Sequence, residues 1–138
     1  MALVTRGTNA SVDASTAMVA PQITGLLAGA DLDVAAPCYI HADGTVRMCN
    51  ATNADAAAIM AGFTPRAVKN GQPVTLYSTG ARFRYGTSLT PGAILYVAAT
   101  AGRLDTDPTT GDQVGVAQVI TATDIRVTRA ITHVDGGS

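Results

Sequence analysis

A chain of 138 residues that contains no glutamate and a single lysine, Lys69, has little with which to clothe a helix. Long straight-chain charged residues populate the exposed faces of most helices. Here Ala, Gly, Thr and Val take their place, so the chain is expected to fold as sheet. Its surface is then covered by Thr, Ser, Asn, Asp and Arg. The length suits one compact domain, which at this size buries roughly two-thirds of its unfolded surface.

The order of residues agrees. Short apolar or β-branched runs are separated by Gly, Pro, Asp and Thr, the pattern of short strands joined by turns. Thr90-Pro91-Gly92 leads into Ala93-Ile94-Leu95-Tyr96-Val97; Pro presets φ and Gly tolerates positive φ, so the pair makes the turn. Ala101-Gly102-Arg103-Leu104, Val114-Gly115-Val116-Ala117 and Asp124-Ile125-Arg126-Val127 follow. The intervening Asp105–Asp112 segment is rich in Asp, Thr, Pro and Gly and reads as a solvated loop. Upstream, Pro37–His41 and Thr45–Cys49 flank Ala42-Asp43-Gly44, a strong hairpin signal. Asn50–Ala58 is either a loop or one short helix with Asn53 or Asp55 as cap. Ile59–Phe63 reads as a buried strand. Val74–Tyr77 and Ala81–Tyr85 alternate, which in the second case places Arg82 and Arg84 on one face and the aromatics near the other.

Four pieces of the chain recur. Cys38-Tyr39-Ile40 is like Leu95-Tyr96-Val97, and Asp43-Gly44-Thr45-Val46 is like Ala101-Gly102-Arg103-Leu104. Met60–Phe63 is like Gln113–Val116, and Pro73–Tyr77 is like Asp124–Thr128. One hairpin-plus-strand unit used twice closes a small barrel or sandwich; chance likeness among short strands is the competing explanation. The expected organisation is an extended N-terminal arm over 1–20, a β domain over 21–132 and a flexible tail over 133–138. The arm is polar, small and aperiodic, so it is either a loose tail or a segment that orders against a neighbouring subunit. Ala17-Met18-Val19-Ala20 has the small residues of a cleavage site. However, Arg6, Thr8, Asn9, Ser11 and Asp13 leave no apolar stretch before it, so the start is read as mature protein.

The candidate chemistry is sparse. Cys38, His41 and Cys49 are the one conceivable zinc set, but they lack a fourth ligand and paired spacing, and on a strand Cys38 and His41 point to opposite faces. The two cysteines are either bonded or buried free thiols. Asp105, Asp107 and Asp112 lack the Gly and terminal Glu of a calcium loop. His41 and His133 are the two imidazoles, too few and too scattered for a nucleophilic triad. No phosphate-binding loop is present. The expectation is no enzyme, no metal and no cofactor. A net charge of −1 gives no reason to expect nucleic acid. No run approaches the roughly 18 apolar residues of a membrane helix. Arginines outnumber lysines by eight to one, which suits a protein that works through interfaces. Arg82, Phe83, Arg84 and Tyr85, with Arg126 and Arg129, are therefore either an ordinary strand pair or a subunit interface.

The series Pro91, Gly92, Leu95, Tyr96, then Gly102, Leu104, then Gly115, Val116, Ala117, and last Ile125 and Val127 resembles the capsid decoration, or cement, proteins of tailed bacteriophages. The likeness runs over roughly residues 22–130. It implies an all-β fold, a small β-barrel or β-tulip of two related hairpin-containing halves with an extended N-terminal arm. It implies a homotrimer made in the host cytoplasm and seated on the outer surface of the virion, bound to the major capsid protein and without enzymatic activity. On that resemblance the capsid-binding arm is Leu3, Val4, Thr5, Arg6, Thr8 and Asn9. The alternative is a carbohydrate- or peptide-binding β module of a phage tail or cell surface, which would need exposed aromatics around a groove.

Overall fold

In a computed structural model, residues 3–4, 6–11, 22–53 and 55–128 are described. Among the described residues eleven strands carry the fold: Arg6–Ser11 (β1), Gln22–Ala28 (β2), Pro37–Ile40 (β3), Thr45–Met48 (β4), Gly62–Phe63 (β5), Pro73–Tyr77 (β6), Arg82–Gly86 (β7), Ile94–Val97 (β8), Leu104–Asp105 (β9), Ala117–Val119 (β10) and Asp124–Val127 (β11). The one helical element among the described residues is a 3-10 turn, Ala56–Ala58. Asp55 caps it, its carboxylate accepting from the Ala57 N–H at 3.1 Å. The all-β expectation holds.

Residues 22–77 form a closed barrel in the cyclic order β2-β4-β3-β5-β6. Most pairs are antiparallel, but β2 meets β4 in parallel, Leu27 opposite Thr45 and Ala28 opposite Val46. Asp43-Gly44 turns the β3–β4 hairpin, as the sequence indicated, with Gly44 at φ 88. Residues 82–127 form a second, curled sheet in the order β7-β11-β10-β8-β9, with β1 added outside β7.

The two halves share one strand order. Matching β2 through β6 with β7 through β11 turns the first ring into the second, except at one joint. Where β2 pairs directly with β4, the corresponding β7 and β9 are separated by the N-terminal segment. Strand β1 runs antiparallel to β7, Arg6 opposite Gly86, while Leu3 bridges Asp105 of β9. The Val4 N–H donates to the Leu104 carbonyl at 2.9 Å, and the Arg103 guanidinium donates to the Val4 carbonyl at 3.1 Å. The repeat seen in the sequence is thus a repeat of topology, and the second ring has one more stave.

Ring size sets the filling. A barrel widens with strand number, and a narrow one takes small side chains. The first interior is packed with Ala28, Leu32, Ala36, Cys38, Val46, Val74 and Leu76. The second takes Phe83, Tyr85, Leu95, Leu104, Ile125 and Val127. Phe63, on β5 of the first barrel, belongs to the second cluster and meets Phe83 with ring centroids 5.1 Å apart. Phe83 in turn meets Tyr85 edge-on at 6.5 Å. Backbone bonds tie the halves as well: Ala51 N–H to the Ala98 carbonyl, and Gly102 N–H to the Cys49 carbonyl, each at 2.9 Å.

Two expectations are corrected. Strand β5 is two residues long rather than spanning Ile59–Phe63. The Asp105–Asp112 segment is solvated only in part: Thr106, Asp107, Pro108 and Thr110 are exposed, whereas Asp105, Thr109 and Asp112 are buried. The buried polar side chains satisfy main-chain groups that would otherwise be orphaned. One Asp112 carboxylate oxygen accepts from Val97 N–H at 2.8 Å; the other accepts from Val114 and Gly115 N–H at 3.1 and 2.8 Å. The Thr109 hydroxyl donates to the Val97 carbonyl at 2.7 Å.

Candidate functional site

The outward face of β7 and β11 concentrates the arginines. Strand alternation sends Phe83 and Tyr85 inward and Arg82 and Arg84 outward, and on β11 sends Ile125 inward and Arg126 outward. Register then places Arg126 opposite Arg82, and Asp124 opposite Arg84. Arg82 reaches diagonally to Asp124, Nε to Oδ2 at 3.2 Å, and the Thr123 hydroxyl donates to the other Asp124 oxygen at 2.9 Å. Arg84 and Arg126 are exposed, with no ion pair among the described residues. The result is a patch with three guanidinium groups against one carboxylate, carried on a sheet whose inner face is locked by the core. Such a surface offers forked donors to carboxylates, and the planar guanidinium loses less freedom per hydrogen bond formed than an ammonium does.

Phe83 and Tyr85 are removed from the interface set. Both are wholly buried, so neither offers surface to a neighbouring molecule. Arg129 and Thr5 lie outside the described residues, as does His133. Leu3 and Val4 of the expected arm sit on the chain's own second sheet, Leu3 exposed and Val4 buried in the core. Arg6, Thr8 and Asn9 belong to β1 beside β7, and only their backbone is described. Sequence reasoning had no signal for this pairing, since β1 is polar and finds its partner some 75 residues away.

The candidate chemical groups do not converge. Cys38 and Cys49 are free thiols on opposite sides of the barrel wall, Cys38 in the first core cluster and Cys49 in the second. Burial pushes both thiols well above their ordinary range, so they are protonated at neutral pH. His41 lies at the surface in the β3–β4 turn, its Nδ1 3.3 Å from Asp43 Oδ1. Asp43 is a turn organiser: it accepts from the Thr45 hydroxyl at 2.6 Å and from the Thr45 N–H at 2.9 Å. Those bonds, with smaller help from His41 and Arg47, hold its carboxyl at about 2. Asp105 Oδ1 accepts from Asp107 N–H at 2.9 Å, while Asp112 is spent on the three N–H groups above. No group of three or more His, Cys, Asp or Glu among the described residues is placed to hold a metal ion.

Two of the surface depressions bear on the alternative readings. One, of about 270 Å³, lies on the first barrel between Arg66, Pro73, Thr75 and Tyr77; it has one aromatic ring where a sugar platform would need several. The other, of about 310 Å³, opens beside Val4 on the second sheet and is lined by aliphatic and hydroxyl side chains without a titratable group. No helix among the described residues is long and apolar enough to cross a membrane. The chain matches no protein-family model and no curated protein.

Proposed function

We propose that this protein is a non-enzymatic capsid decoration protein, which binds the outside of an assembled phage head and bridges subunits of the major capsid protein. The observation that carries the reading is the arginine face of Arg82, Arg84 and Arg126, set on a scaffold of one closed barrel and one curled sheet whose buried polar side chains serve turns rather than a reaction centre. The likeness of the Pro91–Val127 series to cement proteins supplies the partner. The protein works as a homotrimer, made in the host cytoplasm and resident on the virion surface, and the N-terminal segment from Leu3 to Asn9 contributes to the contact between subunits.

The mechanism is linkage. A protein that binds only the assembled shell stabilises it by RT ln(1 + [L]/Kd), about 2.7 kcal/mol at a hundredfold excess over Kd. Copies that each bridge neighbours add through effective concentration. Exposed guanidinium groups make the encounter fast and salt-dependent. The test is co-sedimentation with expanded empty shells, alongside light scattering for the oligomeric state. The wild-type chain is expected to pellet with shells as a trimer, and Arg84→Glu with Arg126→Glu to lose most binding while staying folded. A monomer that ignores shells overturns the proposal.

A further inference from the structure

We propose that the gap between β7 and β9 is a strand-acceptor site that takes residues 3–11 from a second copy of this chain as well as from its own. The inference starts from the comparison of the two rings. In the first, β2 and β4 pair directly and close the barrel. In the second, the equivalent strands β7 and β9 do not pair; the N-terminal segment lies between them, antiparallel to β7 and bridged to β9 through Leu3 and Asp105. Without that segment both inner edges would expose unpaired N–H and C=O groups, and the core around Val4 would open to water.

The occupant is held mostly by features that do not depend on which copy supplies it. Main-chain ladder bonds give affinity to an added strand, and pockets for alternate side chains give register. Here the ladder includes Val4 N–H to Leu104 O at 2.9 Å, and Arg103 clamps the Val4 carbonyl at 3.1 Å. Val4 itself fills a buried place, 5% exposed, among the residues of the second core. The next strand, β2, belongs entirely to the other barrel, so β1 is tied to its own slot only through residues 12–21. Ten residues reach up to about 33 Å when fully extended, so the covalent link alone does not confine β1 to its own slot. Filling in trans makes the same contacts as filling in cis, and their balance is set by the local concentration of copies. This reading does not depend on the capsid assignment: it concerns copies of this chain alone.

A pair of cysteine variants tests it in the full-length chain. Leu3 and Asp105 are directly opposed in an antiparallel bridge, and the bond from Val4 N–H to Leu104 O marks theirs as the closely spaced type of pair, suited to a disulfide. Leu3→Cys and Asp105→Cys are made in separate chains carrying tags of different size, mixed, and oxidised mildly. The expected product is a covalent heterodimer of the two tags whose share rises with protein concentration. If the folded single variants never join each other, while the double variant closes internally as a monomer at every concentration, the proposal is overturned. Should Asp105→Cys not fold, a chain lacking residues 2–11 is refolded with and without a synthetic peptide of those residues. Recovery or a higher Tm with the peptide supports the acceptor site. A deletion variant that folds and ignores the peptide, or fails to fold in either condition, overturns it.

Discussion

The closed barrel and the curled sheet are built on one strand order, yet they solve closure differently. The first closes on itself with five strands and a lining of Ala, Cys, Val and Leu. The second holds two phenyl rings in its core cluster, Phe63 from its neighbour and Phe83 of its own, with Tyr85 beside them. A ring wide enough for that filling needs another stave, and the chain supplies it from its beginning. The lesson is that a duplicated unit need not be duplicated in stability. The self-closed ring is completed within residues 22–77, where β2 pairs with both β4 and β6, whereas the second depends on a strand from the far end of the sequence and on its neighbour's aromatic.

Four measurements sharpen that contrast. The largest effect is expected at the ring junction. Phe83→Ala removes the side chain that both Phe63 and Tyr85 touch and leaves a cavity, costing about 4 kcal/mol in chemical denaturation. Because Phe63 belongs to the first barrel, the two halves should lose stability in a single transition; two separate transitions would show that the junction does not couple them. Next comes the second ring's buried carboxylate. Asp112→Ala leaves three main-chain N–H donors without their partner, and the expected loss is about 3 kcal/mol. The first ring has a 3-10 turn with an exposed Asp55 cap in the corresponding loop, so Asp55→Ala should cost only about 1 kcal/mol.

The third comparison uses matched turn glycines. Gly44 and Gly102 occupy equivalent hairpin positions, both with positive φ. A Cβ on Gly44 would meet nothing within 4 Å, whereas one on Gly102 would lie 2.4 Å from Met48 Sδ. Gly44→Ala should therefore cost about 1 kcal/mol for the left-handed backbone alone, and Gly102→Ala more, about 2 kcal/mol, as Met48 is displaced. Equal melting shifts would remove the claim that this turn is where the halves press together.

The smallest effect concerns acid. Asp43 has its carboxyl lowered to about 2, first by the Thr45 hydroxyl and then by the Thr45 N–H. A depressed carboxyl favours the fold above its unfolded value near 4, and that contribution fades as pH falls toward 2. Asp43→Asn should flatten the pH dependence of Tm across that window and leave stability above pH 5 almost independent of pH from this group. An unchanged acid limb would mean that the turn bonds do not favour the charged form.

Much of the first ring was legible. Asp43-Gly44 between alternating runs marks a hairpin wherever it occurs, and Asp55 ahead of Ala56–Ala58 carries its own capping chemistry. The alternation through Arg82–Tyr85 also indicated which face is wet, although it did not separate Phe83 and Tyr85 from the candidate interface; burial did. The Asp105–Asp112 segment misled because Asp, Thr and Pro look alike whether they face water or cap a buried turn. The partner groups, Val97 N–H and Gly115 N–H, lie on either side of it and come together only after β8 and β10 have paired.

Composition and turn chemistry by themselves determined that this chain is a sheet protein, where it turns, and that it repeats, because those properties depend on residues a few positions apart. The tertiary structure decided that the second ring opens by one strand, that residues 3–4 and 6–11 lie in the opening, and that Asp105 and Asp112 of the loop are buried. Those outcomes depend on pairings between distant parts of the chain, whose free energy comes from the shared core and main-chain bonds rather than from any local pattern.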